Sequence, residues 1–162
     1  MRDHPNATLV RNTYEALARS DRDWLEEVFA PECVLTVDGD HDLSGRFEGR
    51  PATLSWFCRA AARCSAGYIL TPLAIAGIGS LGVAVEHVYA TSSDAVLSVD
   101  AIRVFHVACG RIEAVHAIDL EEAAVASFWG GQRNGAASSL QGTRSKVIPI
   151  KSLAGWTPGG NS

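Results

Sequence analysis

Apolar positions recur at helical spacing over the first third of the chain and then switch to alternation. Within "NATLVRNTYEALARS" (6–20), Leu9, Thr13, Ala16 and Leu17 lie near one stripe, and Val10, Tyr14 and Leu17 near an adjacent one. That spacing predicts an amphipathic helix, with Asn6 or Thr8 able to cap it. "SDRDWLEEVFAPE" (20–32) predicts a second helix, with Ser20 or Asp21 as cap, acids in its first turns and Pro31 as its end. "CVLTV" (33–37) reads as a short strand and "DGDHDLSGRFEG" (38–49) as a polar, glycine-punctuated loop. "RPATLSWFCRAAARC" (50–64) predicts a third helix, with Pro51 suited to its first turn and Leu54, Phe57, Cys58 and Ala61 on its apolar face.

The pattern then becomes extended. "GYILTPLAIAGI", "LGVAVEHVYAT", "AVLSVDAIRVFHVAC" and "RIEAVHAIDL" predict four strands in succession. The breaks between them, "GSLG", "SSD" and "CG", are short enough for antiparallel hairpins. "EEAAVASFW" closes this body as a short helix. Helices followed by strands give an α+β order: three N-terminal helices packed on a curved antiparallel sheet, forming a cone with an internal pocket where the helices leave it unfilled.

Composition places boundaries on this picture. The 162 residues suffice for one domain with a core. Residues 1–130 read as that domain, and 131–162 as a flexible basic tail, rich in Gly, Ser and Asn up to "SSLQGTR". A short apolar segment, "KVIPIKSLAGW", follows and could dock elsewhere. The tail carries Arg133, Arg144, Lys146 and Lys151 and no acid, which puts −8 on the body against −4 for the whole chain. A body of that sign without a basic stripe argues against nucleic acid as its partner. No run approaches the roughly 18 apolar residues of a membrane helix, and the N-terminus has no signal-peptide core. The expectation is no membrane partner and a cytoplasmic location. Cys33, Cys58, Cys64 and Cys109 form no CxxC pair and read as reduced thiols.

Three stretches carry a family resemblance: "VRNTYEALARSDRDWLEEVFAPECVLTVDGD", "LSGRFEGRPATLSWF" and "VFHVACGRIEAVHAIDLEEAAVASFW". Across roughly residues 5–130 the chain resembles the SnoaL-like, ketosteroid-isomerase-like branch of the nuclear transport factor 2-like superfamily. The resemblance implies acid–base chemistry in the apolar cone, without metal or organic cofactor, on a small-molecule substrate. It implies a homodimer as well. Cyclases, isomerases, dehydratases, epoxide hydrolases and non-catalytic members share this fold. The chain departs from its relatives in holding Leu35 and Thr36 where many have an aromatic and a histidine, and His116 where a tryptophan is frequent.

Candidate chemistry centres on the strands. Ser98, Asp100, Ile102, Val104 and His106 share one face of their strand, and Leu97, Val99, Ala101, Arg103 and Phe105 the other. The resemblance implies that Ile102 and Val104 face the cavity, which would point Asp100 inward as a general acid or hydrogen-bond donor. The alternative is an outward Asp100, paired with Arg103 or a cross-strand group. His116 is the candidate base, or else a buried histidine bonded to backbone. Asp119 could orient an imidazole or cap the last helix. Glu86 and His87 face opposite sides, so only one enters the cone. Family register favours Glu86 as a cavity carboxylate, with His87 and Tyr89 on the outer, often dimer-forming face. "DGDHD" (38–42) reads as a solvated turn, although Asp38 could reach the cavity rim. Tyr14, Trp56 and Phe57 would shape the cavity, with Trp24 a further aromatic candidate. No G-x-S-x-G or phosphate-loop pattern occurs.

Two functional classes follow. One is a cofactor-independent cyclase, isomerase or dehydratase acting on an apolar, oxygenated intermediate, polyketide or terpenoid-like, with an epoxide hydrolase-like enzyme as its variant. The other is a non-catalytic ligand-binding or dimerising module. A polar cluster of the Asp–Arg–Asp type would favour the hydrolase; Arg103 on the row opposite Asp100 argues against one.

Overall fold

The computed structural model describes residues 2–131. The expected tail lies outside them, save Gly131, which ends the last helix. Helices α1 (Pro5–Arg19), α2 (Arg22–Val28), α3 (Arg50–Ala62) and α4 (Glu122–Gly131) accompany strands β1 (Phe29–Val37), β2 (Gly45–Glu48), β3 (Tyr68–Ile78), β4 (Leu81–Thr91), β5 (Val96–Ala108) and β6 (Arg111–Asp119). The α+β order holds. The six strands form one sheet in the order β2-β1-β6-β5-β4-β3. Every neighbouring pair is antiparallel except β1 and β6, which run parallel, so the sheet is mixed.

Helix α1 starts two residues earlier than an Asn6 cap would place it. His4 is the N-cap and its side chain accepts from the Asn6 N–H at 3.2 Å. Pro5 then takes the first helical position, where its missing N–H costs nothing. Ser20, at φ 55°, ends the helix in a left-handed cap. Asp21 caps α2 by accepting from the Trp24 N–H. Pro31 does not end this helix. The chain is already extended at Phe29, and Pro31 sits where the β1–β6 register slips between Phe29 and Val34, a place where a strand tolerates a missing donor. The 38–49 segment, expected to be all loop, holds the four residues of β2.

The helices cover one face of the sheet. Helix α1 lies over β3 and β4, α3 over β1, and α4 over β5. Gly82 is what lets α1 approach: a Cβ built there would stand 2.5 Å from Val10 Cγ2. Inward residues of β4 are Gly82, Ala84, Glu86, Val88 and Ala90, and those of β5 are Leu97, Val99, Ala101, Arg103, Phe105 and Val107. Phe29, Leu25, Leu35, Leu54 and Phe57 are essentially inaccessible, and burying such side chains contributes about 1.5–3 kcal/mol each.

Candidate active site

The inward row of β5 holds one charged residue, Arg103, which is 3% exposed. A guanidinium so placed must be paired and hydrogen-bonded to persist. Its partner is Glu86 on the neighbouring strand, fully buried, with Oε1 at 2.8 Å from Arg103 Nη2. The rings of Trp56 and Phe57 lie with centroids 5.9 and 5.5 Å from the guanidinium carbon, a cation–π cushion. The Tyr14 hydroxyl, from α1, donates to Glu86 Oε2 at 2.5 Å. Burial raises the Tyr14 hydroxyl pKa well above its ordinary value, and the Glu86 carboxylate adds to the rise. Burial likewise pushes Tyr68 up, with Arg103 pulling the other way. Burial alone would lower the Arg103 pKa, but Glu86, Tyr14 and Tyr68 outweigh it and hold the guanidinium above its usual value. Both phenols therefore stay neutral and the guanidinium stays charged near neutral pH.

A narrow cavity of about 20 Å³ adjoins this set, bounded by Glu86, Arg103, Tyr68, Trp56, His41 and Asp119, with apolar walls from the strands and from Val125 and Trp129 of α4. That volume admits about one water molecule. Arg103 Nε and Nη1 are buried without hydrogen-bond partners, as is His41 Nε2. The His41 side chain is 1% exposed, and its Nε2 stands 3.8 Å from Asp119 Oδ2. Its Nδ1 accepts from the Leu43 N–H at 3.2 Å, which assigns the neutral ring's proton to Nε2, facing the cavity. The loop holding His41 is tied down twice. The His41 N–H donates to Ser44 Oγ while that hydroxyl donates to the His41 carbonyl. Trp56 Nε1 donates to the Leu43 carbonyl at 2.8 Å.

Several sequence expectations meet this geometry differently. Glu86, Tyr14 and Trp56 come together inside, and Phe57 packs behind them. Asp100 does not point inward. Leu97, Val99, Ala101 and Phe105 form the buried row, so Ile102, Val104 and Asp100 stand on the outer face. Asp100 pairs there with His87, Oδ1 to Nδ1 2.7 Å, with half of its side chain exposed. It therefore makes no pair with Glu86, which faces the opposite side. His116 is also outside, 2.7 Å from Asp38 Oδ1, with both side chains about two-fifths exposed. A bulge is the reason: Val107 pairs with Ile112 and His106 with Ala114, leaving Glu113 as an extra residue. That insertion turns Ile112 inward and His116 outward on the same strand. Asp38 follows the outer row of β1 and does not reach the rim.

His41, in a segment whose polarity predicts a solvated turn, is buried instead. The available signals were Gly39, which bends the chain at φ 108°, and Ser44 three residues after the histidine. Asp119 lines the cavity together with Glu86 and Arg103, and the partner of Arg103 is Glu86 rather than Asp100. Trp24 lies on α2 and is not among the residues bounding the cavity. No group of three or more His, Cys, Asp or Glu side chains among the described residues could hold a metal. None of their helices is long and apolar enough to cross a membrane.

The SnoaL-like domain matches residues 10–115. An uncharacterised Mycobacterium tuberculosis protein, Rv0034, is 30% identical over 130 residues, spanning 80% of this chain and 99% of its own. Among solved structures, Bal32a, from a soil-derived mobile gene cassette, superposes with a TM-score of 0.74 at 22% identity, covering 77% of this chain and 96% of its own. A candidate polyketide cyclase from Sinorhizobium meliloti does so with a TM-score of 0.57 at 25% identity, covering 68% and 93%.

Proposed function

The chain belongs to the SnoaL-like domain family, and from that premise we propose that it is a cofactor-independent acid–base enzyme. Its substrate would be an apolar small molecule bearing a carbonyl oxygen, and the reaction an isomerisation, cyclisation or dehydration. The observation that carries this reading is the set of buried polar atoms around the cavity left without hydrogen-bond partners: the donors Arg103 Nε and Nη1 and His41 Nε2, and the acceptor Glu86 Oε1, ion-paired to Arg103 Nη2. A carbonyl oxygen on Arg103 would accept from its free Nε or Nη1 and gain stabilisation as it becomes an enolate. Asp119 would take the proton from the adjacent carbon, and His41 would give its Nε2 proton to the oxygen or leaving group. Glu86 and Tyr14 would hold the guanidinium in place. Val125 and Trp129 narrow the cavity, so a substrate larger than water would enter with α4 displaced.

The test is isomerisation of a β,γ-unsaturated cyclic ketone, followed by the rise of conjugated-enone absorbance. Asp119→Asn and His41→Gln are each expected to lower kcat by about 10²–10⁴. Equal rates in both variants and the parent would refute the assignment. An epoxide hydrolase-like reaction is the second reading, favoured by a cavity of one-water size beside Glu86, Arg103 and Asp119. A homodimer belongs to the same proposal. Leu73 and Ile78, exposed on the edge strand β3, are apolar side chains that a second copy would cover, and native mass spectrometry reads the mass.

A further inference from the structure

The outer face of the sheet carries a second arrangement, independent of the interior one. Ser98 and Asp100 stand two positions apart on β5, and His87 lies on β4 directly opposite Asp100. His87 Nδ1 is 2.7 Å from Asp100 Oδ1, and His87 Nε2 is 3.0 Å from Ser98 Oγ. A carboxylate only accepts, so the neutral ring carries its proton on Nδ1 and Nε2 accepts from the serine hydroxyl. A hydroxyl, an imidazole and a carboxylate are thus linked through the atoms that nucleophilic acyl transfer requires. The sequence hides it, because the serine sits on a strand rather than on a G-x-S-x-G turn.

The ladder also supplies a place for an oxyanion. Ser92 N–H donates to the Ala95 carbonyl and Val107 N–H to the Ser80 carbonyl. Bonded and non-bonded pairs alternate along antiparallel strands, so the Tyr89–Ser98 pair between them is non-bonded and Ser98 directs its N–H toward the β6 side. β6 pairs with β5 only from Ala101 onward. The Ser98 N–H therefore has no strand partner among the described residues and is a donor that an oxyanion on Ser98 could use. The Val85–Ile102 pair borders His87 and Asp100 on the same face, an apolar strip suited to a short acyl group.

We infer that Ser98, His87 and Asp100 form a surface site that cleaves activated carboxylic esters of short acyl chains. Ser98 Oγ bonds to the acyl carbon as its proton passes to His87 Nε2. The carbon–oxygen bond to the alcohol breaks, and the alcohol leaves with that proton. Water then attacks the acyl-serine, gives a proton to His87 and releases the acid, restoring Ser98.

The test uses the full chain with p-nitrophenyl acetate and, separately, a fluorophosphonate whose adduct is mapped by peptide mass spectrometry. Expected are a burst of one equivalent of p-nitrophenolate, labelling at Ser98, and loss of the burst by at least 100-fold in Ser98→Ala. His87→Ala loses it too and regains it with added imidazole, which a purely structural role would not permit. His116→Gln retains the burst, separating the site from non-specific imidazole catalysis. A burst that survives Ser98→Ala overturns the inference. So does a label on another residue, or no label at Ser98, the last also being the result if a second copy seals this face.

Discussion

Replacing Glu86 by Leu leaves Arg103 inside the protein without its counter-charge. Breaking one side of a buried ion pair costs about 3–5 kcal/mol. The Trp56 and Phe57 rings remain against the guanidinium, which places the expected loss near the lower end. Against a total stability of roughly 5–15 kcal/mol, that is a fifth or more of the whole. At about 3–5 °C per kcal/mol for a domain of this size, the midpoint should fall by roughly 10–15 °C. The paired variant, Glu86→Leu with Arg103→Met, removes both charges and leaves an apolar core. It is expected near the parent's stability, because replacing a whole buried pair is often neutral or stabilising. Urea unfolding of the parent, both single variants and the pair, followed by circular dichroism and tryptophan fluorescence, gives the coupling directly. A coupling within about 0.5 kcal/mol of zero, the range of independent sites, would refute the reasoning that these two groups exist for each other.

Tyr14→Phe strips the donor from Glu86 Oε2 and should destabilise by roughly 1–3 kcal/mol, read as a lowered urea midpoint; an unchanged midpoint would count against the bond. Gly82→Ala forces a Cβ against Val10, and the overpacking should cost about 1–3 kcal/mol, seen as a lower Tm, with Gly82→Ala/Val10→Ala recovering part of it. Tyr14 and Tyr68 titrate higher in the fold than in the unfolded chain, whose phenols ionise near 10. Their contribution is fully present below pH 10 and lost as pH rises beyond it, so urea midpoints should fall above pH 10 and fall less in Tyr14→Phe. Burial raises the thiols of Cys33, Cys58 and Cys64, the last to about 11, whereas Cys109 is exposed. A thiol reagent at pH 8 should therefore modify Cys109 first, and Cys109→Ser should abolish the fast phase.

The elements were legible because their patterning is local. Alternation placed β3 to β6 to within a residue or two, and Pro51 and the apolar stripe placed α3. What remained hidden depends on contacts between distant segments. The inward row of β5 had to accept Arg103, and only Glu86 on another strand and two rings from α3 make that acceptable. His116 faces outward because Glu113 is an extra residue against β5, and nothing local marks it as one. His41 becomes buried when its loop closes on Trp56. Glu86 was recognisable since His87 beside it forced a choice of sides. Family register and plain polarity disagreed over Asp100, and polarity, with Ser98 and His106 in the same row, matched the outer face.

The parallel β1–β6 pairing sets Leu35 beside Val115 and Val37 beside Ala117. Such a contact closes a very long loop, so its entropy must be spent before the pairing gives anything back. While the chain emerges from the ribosome, β1 waits with an open edge until Arg111–Asp119 has been made. The middle of the sheet is thus the last part to assemble, and a nascent chain halted before Arg111 would present two further unpaired strand edges, on β1 and β5, to any aggregation partner.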